Sequence, residues 1–580
     1  MNTFAVWAPA ARSVEVALER GRFPLAASGN GWWSGEAEAV PGDDYSFVLD
    51  GTDPVPDPRS PFQPGGVHGP SRLVNHGAFP WTDAGWRPPP LSSAILYELH
   101  VGTFTGEGTF ASAVRRLPRL VDLGVTHVEL MPVAEFPGMR GWGYDGVDLF
   151  APHHAYGGPD GLKALVDACH GHGLAVVLDV VYNHLGPAGN PLPRFGPYFT
   201  GRYQTPWGEA VNLDGPGSDE VRRFFCDNAL MWLRDYHVDG LRLDAVHAFL
   251  DSSALPFLEQ LAEEVAALEA ELGRELVLVA ESDRNDPRLV RPREAGGLGM
   301  HAQWSDDFHH ALHAFLTGER QGYYSDFGPL ADVAKALRDA FVVDGRHSGY
   351  RRRRHGRPAN GLSGHRFLGY LQNHDQVGNR ARGERSAHLL SPGRLRVAAA
   401  LVLTAPFVPL LFQGEEWGAQ TPFLYFTDHQ EPALARAVSE GRRREFAAFG
   451  WRAEDVPDPQ DARTFAASKL DWSERERLPH RELLDWHRRL IALRRRTPAL
   501  LDGRREAVRA DFDEGQGWLA YERGPVAVAC NFAGETRGVP LARHHDRVLL
   551  FSGPGEPARD GGAVRLPPET VAILTAGAVS

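Results

Sequence analysis

Between Ile95 and about residue 500 the chain alternates eight short apolar stretches with amphipathic ones. A short apolar run bounded by polar residues is typical of a strand that is buried on both faces. Strands that alternate with helices form parallel sheets, and eight repeats predict a closed (β/α)8 barrel, although a doubly wound sheet gives a similar pattern. The predicted strands are Ile95–Val101, His127–Pro132, Ala175–Val181, Leu241–Val246, Leu276–Glu281, Ala302–Ser305, Phe367–Leu371 and Val408–Phe412. Predicted helices include Gly161–His170, Glu220–Asp235, Pro256–Leu272, Phe308–Leu316 and Arg481–Arg496.

The segments on either side of this region read as all-β. Residues 1–90 alternate like strands of an N-terminal β-sandwich of the carbohydrate-binding kind, and the stiff stretch Pro88–Pro90 marks a boundary. Residues 501–580 predict an antiparallel C-terminal β-domain, which leaves 91–500 for the barrel of this multi-domain chain. Long loops on the C-terminal rim of a barrel build specificity. Three segments are long enough to do so: 184–218, 319–360 and 413–478.

The composition limits the kinds of ligand that the protein can bind and indicates its cellular compartment. The formal net charge of -13 argues against nucleic acid and favours a neutral ligand. The cysteines, Cys169, Cys226 and Cys530, are far apart and form no Cys-x-x-Cys motif, which indicates reduced thiols in a cytoplasmic protein. No secretory signal is visible, and the apolar run Val397–Phe412 is short for a membrane span and holds two prolines. We expect that run to form a buried helix followed by a strand.

The fourth predicted strand carries charges on an apolar background. Arg242 and Asp244 stand two residues apart and therefore point to the same side of the strand. Such a pair is costly to bury, and a neighbouring guanidinium favours the ionised carboxylate, which suits a nucleophile. Taken alone, the pair could also be a structural ion pair.

Other predicted strands also end in polar residues, and in a barrel those ends meet at one rim. Strand three runs into Asp179, Asn183 and His184, Glu281 ends strand five, and Asn373–Gln376 follows strand seven. A carboxylate nucleophile with a carboxylic acid is the machinery of retaining glycoside hydrolysis. Glu281 follows an apolar stretch, so burial is expected to raise its pKa and keep it protonated. Asp375, beside His374, could grip sugar hydroxyls.

These four segments resemble the four signature regions of the α-amylase family of glycoside hydrolases, family thirteen, in order and in spacing. The resemblance implies that Asp244 is the nucleophile, Glu281 the general acid/base and Asp375 the stabiliser of the transition state. It also implies substrate contacts, for which the candidates are Tyr144, His184, Arg242, His247 and His374. Asp179 and Asn183 are expected to support the site.

No cofactor and no metal are predicted. In some members of the family the Asn183 position binds calcium, but 184–218 holds no matching acidic cluster. The pairs His153–His154 and His309–His310 are adjacent in sequence, so their side chains are expected to diverge and not to share a metal ion.

Within the family, Ile95–Phe104 resembles glycogen branching enzymes and trehalose-releasing hydrolases alike, whereas Gln303–Leu312, Gly414–Ala419 and Thr421–His429 resemble the hydrolases. This implies hydrolysis of the α-1,4 bond next to the terminal trehalose of maltooligosyl trehalose, with a maltooligosyltrehalose synthase as functional partner. A branching transferase with the same carboxylates, or a glucan-binding protein without activity, are the alternatives. Candidates for the trehalose side of the site are Trp207, Asp306, Gln376, Glu416 and Trp417.

Overall fold

A computed structural model describes residues 1–447 and 451–577. At its centre eight parallel strands close into a barrel, which confirms the predicted fold class and excludes the doubly wound sheet. Every strand pairs in parallel with the next one along the chain, and the last pairs with the first. The barrel strands, numbered one to eight in chain order, are Leu96–Leu99, His127–Leu130, Ala175–Val180, Gly240–Leu243, Val277–Ala280, Ala302–Trp304, Phe367–Gly369 and Val408–Phe412.

Helices surround the barrel because each buries one apolar face against the strands. Among the described residues, the helices of ten or more residues are Gly158–Gly171, Ser218–Asp235, Phe257–Leu272, Asp306–Thr317, Leu330–Asp339, Pro392–Thr404, Pro432–Ala447 and His480–Arg496. The pattern of eight strand–helix repeats is broken once. Strand five is joined to strand six by two 3-10 turns, Pro287–Val290 and Arg293–Ala295, rather than by an α-helix. The run Val397–Phe412 forms the end of one helix and then strand eight, as predicted.

Strand four ends three residues earlier than its apolar alternation predicts. It runs from Gly240 to Leu243, so Asp244 lies just beyond the strand rather than within it. Ala245 takes up a left-handed conformation with φ of 40°, which stops the extended chain and starts the 3-10 turn Val246–Ala248. The early stop presents Asp244 at the mouth of the barrel.

The barrel interior changes character from bottom to top. Near the bottom it is filled by apolar side chains of strands one, three, five and eight, closed from below by Leu91 and Ala94. Two residues further along strands one to four the inward positions are charged. These four buried residues, the charged layer, are Glu98, Glu129, Asp179 and Arg242. In the strand register Glu98 lies opposite Glu129, and Asp179 lies opposite Arg242.

Antiparallel sheets precede and follow the barrel along the chain. Before it lie a three-stranded and a four-stranded sheet, and after it a five-stranded and a three-stranded sheet. The first pair consists of Asn2–Trp7, Trp32–Ala37 and Ala26–Gly29, and of Gly21–Pro24, Val14–Leu18, Asp44–Leu49 and Ser71–Arg72. The second consists of Val508–Asp513, Trp518–Arg523, Val526–Asn531, Thr570–Thr575 and Arg547–Phe551, and of Arg537–Pro540, Ala563–Leu566 and Ala558–Asp560. The domain boundaries given above stay predictions.

The three long segments each have secondary structure of their own. The hairpin of Phe199–Thr205 and Gly208–Val211 lies in 184–218, and the helix Leu330–Asp339 lies in 319–360. The segment 413–478 contains the helix Pro432–Ala447, and residues 448–450 of it lie outside the described part of the chain. Among the described helices, none has both the length and the apolar character needed to cross a membrane.

Candidate active site

Arg242 is the centre of the polar cluster at the mouth of the barrel. One of its terminal nitrogens (Nη1) lies 2.7 Å from Asp179 Oδ2 and 2.8 Å from Asp244 Oδ1. The other (Nη2) lies 3.1 Å from Glu281 Oε2. The guanidinium is completely buried, and its carbon lies 4.1 Å from the centre of the Trp304 ring, which supports it as a cation–π partner. Both carboxyl groups proposed for catalysis therefore flank one rigid cation.

Asp244 is held by the ends of two neighbouring strands. Its backbone N–H donates to the carbonyl of Val180 over 3.1 Å, while its carboxylate accepts from Arg242. Only 8% of the residue is exposed. A charge-assisted hydrogen bond in such a poorly hydrated place stabilises the negative carboxylate and fixes its direction.

Glu281 follows strand five directly and faces the same space. Its Oε2 accepts from the backbone N–H of Ala245 over 2.7 Å, so the left-handed turn after strand four also orients the second carboxyl group. Burial raises the pKa of Glu281; Arg242 opposes that shift, and the negative charge of Asp244 adds to it. A carboxyl group with a raised pKa keeps its proton and can act as an acid.

Asp375 lies on a short helix, His374–Gly378, and not on the end of strand seven itself. Asn373 caps that helix, because its Oδ1 accepts from the backbone N–H of Asp375 over 2.9 Å. The Asp375 side chain keeps 35% of its surface exposed, and its Oδ1 lies 3.4 Å from His374 Nε2. The carboxylate is therefore positioned and still open to a ligand.

A carboxylate of the charged layer holds His374. Glu98 lies 2.5 Å from His374 Nδ1 and also accepts from the His374 backbone N–H over 3.0 Å. Burial lowers the pKa of His374, but the neighbouring carboxylates of Asp375 and Glu98 outweigh it and raise the value to about 9. The imidazole is therefore a buried cation at neutral pH. Glu98 was missed in the sequence, although a Glu within an apolar strand is the same signal that singled out Arg242.

Two stacked pairs of rings, Tyr144 with His374 and Trp207 with His184, form one wall of the site. The Tyr144 hydroxyl donates to Asp179 Oδ2 over 2.7 Å and lies 2.8 Å from His374 Nε2. The Tyr144 ring stacks on the His374 ring with centres 5.2 Å apart. His184 Nε2 bonds to the Tyr144 carbonyl over 2.9 Å, and Trp207 stacks on His184 at 4.7 Å with 47% of its surface exposed. The wall therefore ends in an open indole face.

Three further predicted residues lie around the cleft. His247 lies in the turn after strand four, and its ring lowers the pKa of Glu281 slightly. Asp306 accepts from the Tyr370 hydroxyl over 2.5 Å; burial and the charge of Glu281 raise its pKa. Gln376 lines a cleft of about 340 Å³ next to Asp375. Other residues lining this cleft are Glu319, Tyr323, Asn379, Arg380 and Trp451.

Glu416 and Trp417, predicted on the trehalose side, do not line the cleft. Trp417 is completely buried, packs on Trp472 and lies 3.3 Å from Glu474. Glu416 is 2% exposed and accepts from the hydroxyl of Tyr97, whose side chain points away from the barrel interior. The 3-10 turn Glu415–Trp417 tucks both side chains under the rim, which a sequence pattern alone does not reveal.

The expectation that the adjacent histidines diverge is wrong for one pair. His153 and His154 both turn their Nδ1 atoms toward Glu135, and the three side chains form a compact cluster. In the other pair His309 bonds to the Leu371 carbonyl and to the Tyr324 hydroxyl. The first pair turns inward because His153 follows the strand Asp148–Pro152 and His154 begins a 3-10 turn, so the alternation of a strand does not apply.

The sequence is similar to known proteins along almost its whole length. Residues 93–191 match the family described as "Alpha amylase, catalytic domain", and residues 503–573 match "Domain of unknown function (DUF3459)". The malto-oligosyltrehalose trehalohydrolase of Arthrobacter ramosus is 52% identical over 94% of this chain and 95% of its own length. That of Rhizobium sp. (strain M-11) is 49% identical over 98% and 97%. A 1,4-alpha-glucan branching enzyme of Oleidesulfovibrio alaskensis is 34% identical over 53% of this chain and 56% of its own length.

Solved structures show the same architecture. A candidate alpha amylase from Salmonella typhimurium has a TM-score of 0.91 at 39% identity, covering 99% of this chain and 97% of its own. A pullulanase of Anoxybacillus sp. LM18-11 has a TM-score of 0.72 at 19% identity over 99% and 86%, which shows the fold alone. Because relatives at 49% and 52% identity cover nearly the whole chain, it belongs to the malto-oligosyltrehalose trehalohydrolases, glycosidases of the α-amylase family.

Proposed function

We propose that this enzyme cleaves the α-1,4 bond next to the terminal trehalose of maltooligosyl trehalose and retains the anomeric configuration. The observation that carries the mechanism is the single guanidinium of Arg242 between Asp244 and Glu281. It places the Asp244 carboxylate and the Glu281 carboxyl group, whose pKa is raised by burial, beside one space. Retaining glycosidases need such a pair about 5–5.5 Å apart, on opposite sides of the scissile bond.

The reaction takes two balanced steps. Asp244 attacks the anomeric carbon while Glu281 gives its proton to the leaving glycosidic oxygen, so free trehalose departs and a glycosyl ester remains on Asp244. Glu281, now ionised, takes a proton from water as that water attacks the same carbon. This releases the shortened glucan and restores both carboxyl groups. The raised pKa of Glu281 favours its protonated state at the start of the cycle.

The remaining residues of the cleft bind and distort the sugar that is attacked. Asp375 keeps an open carboxylate for sugar hydroxyls, and the charged His374 beside it adds a donor. Tyr144 presents a ring on which that sugar can stack, and His184 supports it through the Tyr144 carbonyl. Hydrogen bonds that strengthen as the ring flattens lower the barrier, since only differential binding of the transition state accelerates the reaction.

The trehalose unit binds on the side of Glu281, because the acid must reach the leaving oxygen. Asp306 lies close enough to Glu281 for their charges to interact, and Gln376 lines the adjoining cleft. Trehalose has no reducing end, so its hydroxyls must be recognised by groups such as these. Trp207 offers an exposed ring to a further glucose unit.

Product analysis tests this function. The purified chain is incubated with maltotriosyl trehalose, and we expect free trehalose and maltotriose, with the α-anomer formed first. Glu281→Gln is the matched control and should release neither sugar at a comparable rate. Absence of free trehalose from the wild-type reaction would refute the assignment.

A second experiment tests for branching activity, the alternative raised by the partial similarity to a branching enzyme. A branching transferase passes the glycosyl group from the nucleophile to a sugar hydroxyl instead of water. With amylose as substrate, α-1,6 linkages would then increase at constant reducing power. We expect no such increase.

We further propose that the enzyme acts in the cytoplasm after a synthase that converts the reducing end of a glucan into a trehalose unit. The chemistry of the substrate demands such a step, since ordinary maltooligosaccharides carry a free reducing end. The three cysteines are buried and unpaired, as in a reducing compartment. Maltohexaose alone should yield no trehalose, whereas adding a maltooligosyltrehalose synthase should start its release.

A further inference from the structure

Glu135, His153 and His154 form a buried cluster apart from the catalytic carboxylates. Glu135 ends the short strand Ala134–Glu135, which pairs with Asp148–Pro152, and both histidines follow that partner strand directly. Glu135 Oε1 lies 2.7 Å from His154 Nδ1 and 3.0 Å from His153 Nδ1. The donor atoms of the three side chains all lie within 4.8 Å of one another.

His153 is the unexplained member of this cluster. It is completely buried, yet neither of its ring nitrogens has a hydrogen-bond partner among the described residues. The ring is locked by stacking on Phe136 with centres 3.8 Å apart. Its Nδ1 lies 3.0 Å from a Glu135 oxygen but forms no aligned hydrogen bond with it. A buried unpaired nitrogen costs stability unless something binds it.

A second buried acidic side chain lies beside the cluster. Asp148 is opposite Glu135 in the strand register, is completely buried, and has two carboxylate oxygens without a hydrogen bond. Burial and then the charge of Glu135 raise the pKa of Asp148 well above its usual value. A cation beside Glu135 would relieve this repulsion.

We propose that Glu135, His153 and His154 bind a divalent transition-metal ion, with Zn²⁺ as the best fit. Two imidazole nitrogens and one carboxylate oxygen are a zinc donor set that leaves a fourth position for water. His154 keeps 20% of its side chain exposed and so offers an entry path. Tetrahedral zinc spaces its donors about 3.3 Å apart, so binding requires the donors to separate by a few tenths of an ångström.

The position of the site assigns the metal a structural role. Residues 136–147 form the loop between the two short strands, and this loop carries Tyr144 into the catalytic cleft. A metal bound at Glu135 and the two histidines ties both ends of the loop together. We therefore expect zinc to raise the thermal stability of the enzyme, with little effect on activity at low temperature.

The test compares zinc binding by three proteins freed of metal with EDTA: wild type, His154→Ala and, as a matched control, His172→Ala. His172 is an exposed histidine outside the cluster. Calorimetric titration with ZnCl₂ at pH 7.5 should give one equivalent for wild type and His172→Ala, and at least tenfold weaker binding for His154→Ala. Zinc should raise the Tm of the first two proteins by several degrees. Loss of one proton or more per bound ion is expected as well, because the imidazoles must be neutral.

Cobalt provides a readout that does not depend on stability. Co²⁺ at a tetrahedral nitrogen–oxygen site gives strong visible absorption, and the wild type but not His154→Ala should show it. Equal zinc affinity in all three proteins would identify only scattered surface binding and overturn the proposal. Absence of a stoichiometric site in the wild type would overturn it too.

Discussion

The two halves of the barrel interior differ in chemistry. Strands one to four contribute the charged layer, Glu98, Glu129, Asp179 and Arg242. Strands five to eight contribute apolar and aromatic side chains such as Val279, Trp304 and Leu410, and Tyr370 follows strand seven. The apolar half keeps water out, so every interaction in the charged half acts at low dielectric. The contact of Trp304 with Arg242 is where the two halves meet.

The carboxyl groups of the charged half are not equivalent. Asp179 has Arg242 and Tyr144 as partners, and Glu98 has His374. Glu129 has no hydrogen-bond partner within the described residues; burial, and then the charge of Glu98, raise its pKa well above the usual value. The cations Arg242 and His374 therefore compensate some of these groups, while the raised pKa of Glu129 favours its neutral form.

The largest expected effect comes from removing Asp244, the proposed nucleophile at the edge of the charged half. Asp244→Ala should lower kcat/KM by roughly 10⁴-fold or more, because the variant has no carboxylate at this position to form the glycosyl ester. Trehalose release from maltotriosyl trehalose measures this loss. Asp511→Ala, an exposed residue of the C-terminal sheet, is the matched control and should retain full activity. Activity of Asp244→Ala within tenfold of wild type would disprove the proposed role.

Arg242→Lys should have the next largest effect, because one ammonium cannot span the partners that two guanidinium nitrogens bridge. We expect about 10²-fold lower kcat/KM and a loss of stability of about 3 kcal/mol, as for other buried pairs broken on one side. Urea denaturation and initial rates provide both values. Arg509→Lys, on an exposed part of the C-terminal sheet, should change neither. An active, fully stable Arg242→Lys enzyme would show that charge alone suffices.

Glu98→Gln tests the pairing with His374 through the pH dependence of stability. The pKa of His374 rises from about 6.5 to about 9 on folding, so the stability it contributes is complete below pH 6.5 and is lost as pH rises through 9. A shift of this size corresponds to a contribution on the order of 3 kcal/mol. Removing the charge of Glu98 should shrink the difference in Tm between pH 6 and pH 9.5.

Wild type and Glu98→Gln share their other titrating groups, so the contributions of those groups to the pH dependence of Tm cancel in this comparison. A Glu98→Gln enzyme whose Tm falls with pH as steeply as that of the wild type would show that Asp375 alone sets the charge of His374. Glu98→Ala is a poorer test because it also leaves a cavity.

The charged residues at the mouth of the barrel were predicted from the sequence, whereas the buried residues that lie next to them were not. Alternating strands and helices gave the barrel, the charged pair within strand four pointed to Asp244, and polar residues at the ends of other strands pointed to Glu281 and Asp375. Glu98 and Glu129 escaped notice because they stand in the middle of strands, where only the closed barrel shows that they meet. Glu416 and Trp417 were misplaced because a 3-10 turn, whose direction no local pattern specifies, buries them. The sequence therefore predicted where a residue stands along its strand, but not which residues from distant parts of the chain lie next to it.

The smallest effect is expected for Glu129→Gln, although this residue is as deeply buried as the others of the charged layer. If Glu129 is protonated, a Gln amide replaces a neutral carboxyl group of nearly the same shape, and no charge is lost. We expect kcat/KM within about threefold of wild type and a stability change below about 1 kcal/mol. Glu98→Gln serves as the matched isosteric variant on the neighbouring strand, and it should be clearly worse in both measurements. An equal loss in the two variants would mean that Glu129 is ionised and that Arg242 and His374 serve all three carboxylates of the charged layer.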